Sequence, residues 1–262
     1  MARTSWFPIL ITLLTAAAVF GQTEVPNAAG QDNILASITE AALRAQERLP
    51  DFICTQRTKR YEDESGKGRR WKQRDTIETE FSFVAHRPSW KLLKLNGRPS
   101  RLNYNQLRTG FLSDEILQFF SLPGSLFGAA VAAVFHWNRW DDLGGRRVAV
   151  FSLQVPKSTS QLAFSHDEGR LLVGFHGLLF ADAATAQVVR LEIQLDVPPD
   201  FAVQEGSVEV NYGEVSIANQ VFFLPVRAGV RARMAGHLAR NETEVVRYQK
   251  YQSDATITFS DP

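Results

Sequence analysis

The sequence predicts an α+β protein that is mainly β, with a strongly curved antiparallel sheet, an unclosed half-barrel, wrapped around an N-terminal helix and one or two central helices. Strand-like segments follow one another through short turns, as in antiparallel sheets. Many of them alternate apolar and polar residues; in VVRLEIQLDV (188–197) the odd-numbered apolar residues from Val189 to Leu195 fall on one side. A sheet of about ten or more strands curls or closes, and one-faced strands exclude a doubly wound fold. A sandwich would instead need two such sheets facing each other.

The first residues are typical of a secretory signal peptide, with one basic residue, an apolar run and then small residues. Cleavage is expected after Gly21 or, second, after Ala18. This divides the chain into a signal peptide at 1–21, a flexible leader at 22–31 and a single half-barrel domain at 32–262. An uncleaved membrane anchor is the alternative, which the short apolar run disfavours because a span needs about 20 residues. We therefore expect a periplasmic or secreted protein.

The charge balance and the cysteine content indicate which partners the protein has and what stabilises its fold. The chain has 29 basic and 28 acidic residues, and loss of Arg3 with the signal peptide balances them. This balance argues against nucleic acid as the main partner. Cys54 is the only cysteine, so an exported chain has no intrachain disulfide and depends on its core. Its apolar surroundings in DFICTQ favour a buried small hydrophobe over a reactive thiol.

Helical patterns occur near the N-terminus and in the middle of the chain. From Ile34 to Leu49 apolar residues recur at three- and four-residue steps. Asp32 or Asn33 can cap this helix, and Pro50 ends it.

The central helices are expected between the two halves of the sheet. One is predicted to begin at Ser113, with acidic residues in its first turn, and to end at Pro123-Gly124. A second apolar run at 125–135 is too short to span a bilayer. We expect it to be buried by protein or to lie at the mouth of a cavity.

The remaining segments are predicted strands joined by hairpin turns. Those of the first half are 51–62, 70–85, 89–95, 135–143 and 146–155. Those of the second half are 159–166, 170–180, 188–197, 207–217, 220–234, 240–251 and 255–259. Asn96-Gly97 favours a type I′ turn because both central positions take positive φ there. Gly144-Gly145 and Asp167-Glu168-Gly169 are the other clear hairpin turns.

The order of these elements, helix, strands, helices and more strands, resembles the outer-membrane lipoprotein carrier family, the LolA-like half-barrels. HRPSWKLLKLNGRP (86–99) looks like that family's Arg-Pro followed by an aromatic strand and a turn with Gly. The segments GLLFADAATAQVVRLEIQ and VEVNYGEVSIANQVFFLPV are similar to exported proteins grouped with those carriers. The chain departs from the family in its greater length, and beyond Arg87-Pro88 no functional residue of a carrier can be placed. The resemblance implies an unclosed barrel that holds acyl chains or a lipidated partner; a close relative uses the same fold as a sensor regulating an anti-sigma factor.

No catalytic or metal-binding motif accompanies this pattern. None of the five histidines stands in HExxH or in a tight His/Cys spacing. A GxSxG elbow is absent as well. We therefore expect no enzyme, no metal and no cofactor, with a hydrolase that has an unrecognised site as the weakest alternative.

Two sets of residues are candidates for binding. The dry faces supply a candidate cavity lining, although most such residues are simply core in other proteins: Phe81, Phe83, Trp90, Leu92, Phe151, Phe175, Leu191, Ile193 and Phe222. Basic residues on one face of a strand supply a candidate docking patch for anionic lipid head groups or an acidic partner: Arg227, Arg231 and Arg233. The alternative for this patch is an ordinary solvated face with acids on neighbouring strands.

The resulting functional hypothesis is an exported, non-enzymatic protein that binds a lipid or an acylated polypeptide in an apolar concavity. Burial of apolar surface would drive this binding at about 25 cal/mol per Å². Its partners would be a lipid or lipidated protein, an envelope protein and, transiently, a membrane surface, but not nucleic acid. The rival hypothesis is a periplasmic interaction module or envelope-stress sensor whose concavity is filled by its own side chains.

Overall fold

A computed structural model describes most of the chain. The described residues are 24–103, 107, 120, 122–160, 162–166, 169–199, 201, 203–234 and 236–252. The predicted signal peptide and the predicted strand at 255–259 therefore lie outside the described residues. The two described helices are α1 (Ala28–Glu47) and α2 (Leu122–Phe127).

The strands form one large antiparallel sheet and one small ribbon. Before residue 160 the strands are β1 (Phe52–Asp63), β2 (Lys72–Val84), β3 (Arg87–Leu95), β4 (Arg98–Pro99), β5 (Val134–Asp142) and β6 (Arg147–Val155). After it they are β7 (Ala163–His166), β8 (Gly169–Leu172), β9 (Gly174–Asp182), β10 (Val188–Asp196), β11 (Val203–Ile217), β12 (Gln220–Met234) and β13 (His237–Lys250).

The main sheet has eleven strands in the order β4-β3-β2-β1-β13-β12-β11-β10-β9-β6-β5. Every pairing is antiparallel, and β4 and β5 form two separate edges, so the barrel is not closed. Pairing of β1 with β13 joins the N-terminal and C-terminal strands in the middle of the sheet. The predicted curved, unclosed antiparallel sheet with an α+β composition is confirmed.

Two of the predicted hairpin turns are confirmed by their backbone angles. Asn96 and Gly97 have φ of 50° and 76°, as a type I′ turn requires. Gly144 and Gly145 have φ of 64° and 86° in the turn between β5 and β6. Both turns join neighbouring strands of the main sheet, because β3 pairs with β4 and β5 pairs with β6.

The third predicted hairpin is shorter than expected. Strands β7 and β8 pair with each other as a separate ribbon, whereas β9 pairs with β6 and β10 in the main sheet. The change occurs at Val173, which is fully buried and donates its backbone N–H to the carbonyl of Leu162 at 3.0 Å. Prediction of one continuous strand at 170–180 is therefore wrong, because the chain leaves the ribbon at this anchored residue.

Helix α1 begins five or six residues before the start predicted from Asp32 or Asn33 as its cap. Asn27 is the N-cap, and its side-chain oxygen accepts a hydrogen bond from the backbone N–H of Gly30 at 2.8 Å. Capping by Asp32 or Asn33 is therefore wrong, and the last residues of the expected leader belong to the helix. The face of α1 toward the sheet buries Ile38 and two alanines farther along the helix.

The apolar run predicted as a second central helix is mostly not helical. Helix α2 ends at Phe127 and strand β5 begins at Val134, with Ala132 between them at a φ of 49°. Phe135 is drawn into the strand, where its ring stacks on that of Phe127 at 4.8 Å. The prediction of a helix over 125–135 is therefore wrong because aromatic packing across the turn favours the strand.

The Pro123-Gly124 pair begins a helix rather than ending one. Both residues lie in the first turn of α2, where proline leaves no helical hydrogen bond unmade. Of the helix predicted to begin at Ser113, only Phe120 is among the described residues. Phe120 is buried and stacks on Phe81 at 4.2 Å, so this side chain covers the β1–β3 end of the sheet.

The concave face of the sheet is filled largely by the protein itself. A large cluster packs Ile38 of α1 and Leu126 of α2 against strands β6, β9, β10 and β11. A second, mainly aromatic cluster surrounds Phe52 at the β1–β3 end.

Strand β10 shows what its dry face contacts. Leu191 and Ile193 lie in the same cluster as Ile38, so this face packs on the protein's own helix. Val189 departs from the predicted alternation. A register shift between Val188 and Arg190 turns it to the convex face, where it packs with Phe180.

Candidate functional site

The residues predicted to line a cavity are mostly part of packed clusters. Phe81 and Phe83 contact Phe52 in the aromatic cluster, and Trp90 packs on Phe81. Leu92 packs in a small cluster with Ile77. The large cluster contains Phe151, Phe175, Leu191 and Ile193. Phe222 packs against the aromatic cluster and also lines a cavity.

The cavity lies between the C-terminal half of α1 and the hairpin of β11 and β12. Its volume is about 610 Å³. Its helix wall consists of Ala41, Ala42, Ala45 and Leu49, and its hairpin wall consists of Tyr212, Val221, Phe222 and Leu224. Phe120 and the start of α2 form a third side. The concavity of the sheet is therefore filled at one end of α1 and open at the other.

Small side chains on α1 explain why space remains there. Near the middle of the helix, Ile38 is almost completely buried and fills the gap to the sheet. One turn later Ala41, Ala42 and Ala45 occupy the same side and carry only methyl groups. A search for large apolar residues misses this alanine triplet, although its helical spacing can be read from the sequence.

Close contact between the two helices fixes the helix wall. A Cβ atom added to Gly124 in α2 would collide with the Gln46 side chain and lie 2.8 Å from its Cβ. Only glycine therefore lets α2 approach α1 so closely, and both residues line the cavity.

The hairpin wall carries no charged side chain among the described residues. Burial raises the pKa of the Tyr212 hydroxyl well above its ordinary value, so this group stays neutral. Val221 stands at the mouth, where 63% of it is exposed to solvent.

The turn between β9 and β10 forms a rigid lip. Asp182 accepts hydrogen bonds from the backbone N–H groups of Ala184 and Thr185, both at 2.8 Å. Burial raises the pKa of its carboxyl, but the hydrogen bonds from Thr185 and Ala184 and the charge of Arg146 outweigh this and lower it. The charged Asp182 therefore holds Thr185 and Gln187 in place at the cavity.

Among the described residues, the charged side chains that line the cavity are basic. Among its nineteen described lining residues are Arg44 and Arg48 but no Asp or Glu. Arg44 forms an exposed ion pair with Glu40 at 3.3 Å. Arg48 is the C-cap of α1 and is exposed. The described lining therefore mixes apolar side chains with uncharged polar groups, and its charged members are two arginines.

The predicted docking patch lies on the convex face of β12. Arg227 and Arg231 are exposed, whereas Arg233 binds the Glu205 carboxylate at 3.1 Å and the Gly66 carbonyl at 3.1 Å. Acids on both flanking strands accompany them, among them Glu209, Glu242 and Glu244. These surroundings fit the solvated-face alternative, and the docking role stays a prediction.

Other chemistry finds little support in the described part of the chain. No group of three or more His, Cys, Asp or Glu residues there could hold a metal ion. Cys54 is buried, and burial raises the pKa of its thiol well above the usual value, which confirms the prediction of an inert small hydrophobe. Neither described helix has the length and apolar composition to cross a membrane.

Comparison with known proteins gives matches among solved structures. No family model and no curated protein matches the sequence. A LolA superfamily protein from Nitrosomonas europaea has a TM-score of 0.39 and 11% identity, over 86% of this chain and 97% of that chain. A DUF1329 family protein from Desulfovibrio piger has a TM-score of 0.41 and 8% identity, over 86% and 95%.

A further match is a domain described as an outer membrane lipoprotein-sorting domain, from Vibrio parahaemolyticus. Its TM-score is 0.35 and its identity 8%, over 84% of this chain and 93% of that chain. The family that the sequence resembles is thus also found among the structural matches.

Proposed function

We propose that the protein is an exported, non-enzymatic binding protein that holds the apolar part of a lipid or of an acylated polypeptide in the cavity between α1 and the β11–β12 hairpin. One observation carries this proposal: about 610 Å³ stays open between the alanines of α1 and the β11–β12 hairpin, beside a large packed cluster. Cavities that hold small ligands typically measure about 300–1,000 Å³ and are lined mainly by apolar side chains. The exported location rests on the signal-peptide pattern of residues 1–21 alone.

Binding in such a site would be driven by removal of apolar surface from water. Each buried methylene contributes about 0.8 kcal/mol, or roughly fourfold in Kd. The neutral hydroxyl of Tyr212 and the methyl groups of α1 impose no charge inside the cavity. An acyl chain could therefore lie along these side chains without meeting a charge.

The direct experiment asks whether the protein carries a lipid. The chain lacking residues 1–21 is purified, extracted with organic solvent and analysed by mass spectrometry, and displacement of a fluorescent fatty acid is measured in parallel. We expect a stoichiometric amphiphile in the extract or saturable displacement. A lipid-free extract without displacement would contradict the proposal.

Ala45→Trp offers a test by filling the cavity. Ala45 lines the cavity and is half-buried, so an indole ring can enter the open volume without displacing core residues. We expect loss of fatty-acid binding, by about tenfold or more in Kd, with little change in the thermal midpoint. Ala36→Trp is the matched control, because Ala36 lies on the same helix but is exposed and does not line the cavity. Equal binding by both variants would place the ligand elsewhere.

An interaction or sensor module with a self-filled core is the second candidate. The extent of packing favours it, since Ile38, Leu126 and Phe120 already cover most of the concave face. In that case Arg227 and Arg231 on the convex face would contact an acidic envelope protein or an anionic membrane surface. A protein that binds no amphiphile, together with partner binding lost in Arg227→Gln/Arg231→Gln, would favour this candidate.

A further inference from the structure

The charges at the cavity mouth indicate which kind of amphiphile the protein takes, an inference that rests on the proposed function. We propose that the ligand is a single-chain amphiphile with an acidic head group, a carboxylate or a phosphate, which binds between Arg44 and Arg48 while its chain enters the cavity toward Tyr212. The ligand would accordingly be a free anionic lipid rather than an acylated polypeptide, whose amide-linked chain carries no charge at its head.

The two arginines are placed to share one anion. They stand four residues apart on α1, so both lie on the same side of the helix, and both line the cavity. Like charges at this spacing repel each other in the empty site. A bound carboxylate or phosphate would remove that repulsion and accept charge-assisted hydrogen bonds from both guanidinium groups.

Both guanidinium groups are available for such a ligand. Arg44 and Glu40 form an ion pair whose side chains are 61% and 67% exposed, and pairs in water contribute little to stability. Arg44 can therefore exchange Glu40 for a ligand at small cost. Within the described part of the chain, Arg48 forms no ion pair.

The β9–β10 turn and the β11–β12 hairpin also favour an acidic head group. The helix dipole favours basic residues at the end of α1. It does not explain why the described residues of the β9–β10 turn and the β11–β12 hairpin that line the cavity include no acid. There the polar groups are Thr185, Gln187 and Gln220, which are uncharged and able to donate hydrogen bonds. An ammonium head group would find two like charges and no described carboxylate.

Four probes with the same ten-carbon chain test the head group: decanoate, decyl phosphate, 1-decanol and decylammonium. Isothermal titration calorimetry with the mature chain at low ionic strength measures each Kd. We expect decanoate or decyl phosphate to bind at least about tenfold tighter than 1-decanol, the factor that one added charge-assisted hydrogen bond supplies. Whether decanoate or decyl phosphate binds more tightly tells whether the site prefers a carboxylate or a phosphate head group. Added salt should weaken the binding of the two acids and leave the affinity for 1-decanol unchanged.

Arg44→Gln/Arg48→Gln should remove this preference while 1-decanol still binds. The control is Arg98→Gln/Arg101→Gln, which removes the same charge from two exposed arginines that do not line the cavity and should keep the preference. Equal Kd values for all four probes, or tightest binding of decylammonium, would overturn this inference and leave the proposed function intact. Binding of none of the four would overturn both.

Discussion

Asp63 ends β1 with a carboxylate that has no contact with solvent and accepts four hydrogen bonds. The donors are the hydroxyl and backbone N–H of Ser65 and the backbone N–H groups of Arg69 and Arg70. The Ser65 hydroxyl is the main cause that holds the pKa of this carboxyl far below its ordinary value; burial opposes it, and the backbone donors reinforce it. One charged side chain thus organises the loop between β1 and β2.

We expect Asp63→Asn to lower the free energy of unfolding at pH 7 and to make this free energy depend less on pH. Because the pKa of Asp63 is lower in the folded chain, its stabilising contribution is complete above the unfolded value of about 3.9 and is lost as pH falls below it. Urea unfolding at pH 7 and pH 3 measures the effect. The wild type should lose more stability between these values than Asp63→Asn does.

Glu64→Gln is the matched control, because Glu64 is the next residue and is exposed beside Lys72. It should keep the wild-type pH dependence. The same loss of stability between pH 7 and pH 3 in the wild type and in Asp63→Asn would show that Asp63 does not carry this dependence.

Close approach of β9 to β10 is the feature of the sheet that most restricts a single position. A Cβ atom added at Gly177 would collide with the carbonyl oxygen of Glu192 and lie 2.9 Å from its carbonyl carbon. These are backbone atoms, which cannot rotate away as a side chain can. The two strands carry Phe175 and Leu191 into the large cluster, so their spacing sets the packing under α1.

We expect Gly177→Ala to destabilise the protein by about 1–3 kcal/mol, the usual cost of overpacking, because the strands have to separate. Gly229→Ala is the control, since Gly229 lies within β12 with no atom within 4 Å of its added Cβ. That variant should be neutral or slightly more stable, as alanine replaces glycine within a strand. Urea unfolding compares the two, and similar losses in both variants would contradict the role of backbone contact.

For the molecule as a whole, the open sheet and its helices leave a cavity of limited length. Strands β11 and β12 supply one wall and α1 the other, while Phe120 and α2 close a third side. A chain that enters gains free energy with each methylene until the volume is filled. The cavity should therefore select its ligand by the length of its acyl chain.

We expect the affinity for saturated fatty acids to rise roughly fourfold per added methylene and then to level off at one chain length. In Ala45→Trp the levelling-off should move to shorter chains, because the indole occupies part of the volume. Displacement of a fluorescent fatty acid below the micelle concentration measures both series. Affinity that does not depend on chain length, or rises without limit, would argue for nonspecific partition onto an apolar surface.

Local patterns in the sequence determined much of the architecture. The period of two in β10, the Asn96-Gly97 turn and the apolar setting of Cys54 each depend on neighbours along the chain, and all three agree with the structure in their main features. The start of α1 and the extent of α2 differ from the prediction. Capping by Asn27 sets the first and the stacking of Phe127 on Phe135 accompanies the second, and the apolar spacing alone reveals neither.

Only the tertiary structure decided where the candidate site lies. Periodicity tells which residues avoid water, but not whether another side chain fills the space in front of them. Phe151 and Leu191 face a filled space because Ile38 reaches them, whereas Phe222 faces an open one because Ala45 does not. The volume is set by a helix near the N-terminus and a hairpin near the C-terminus, and its size depends on side chains that no local pattern brings together.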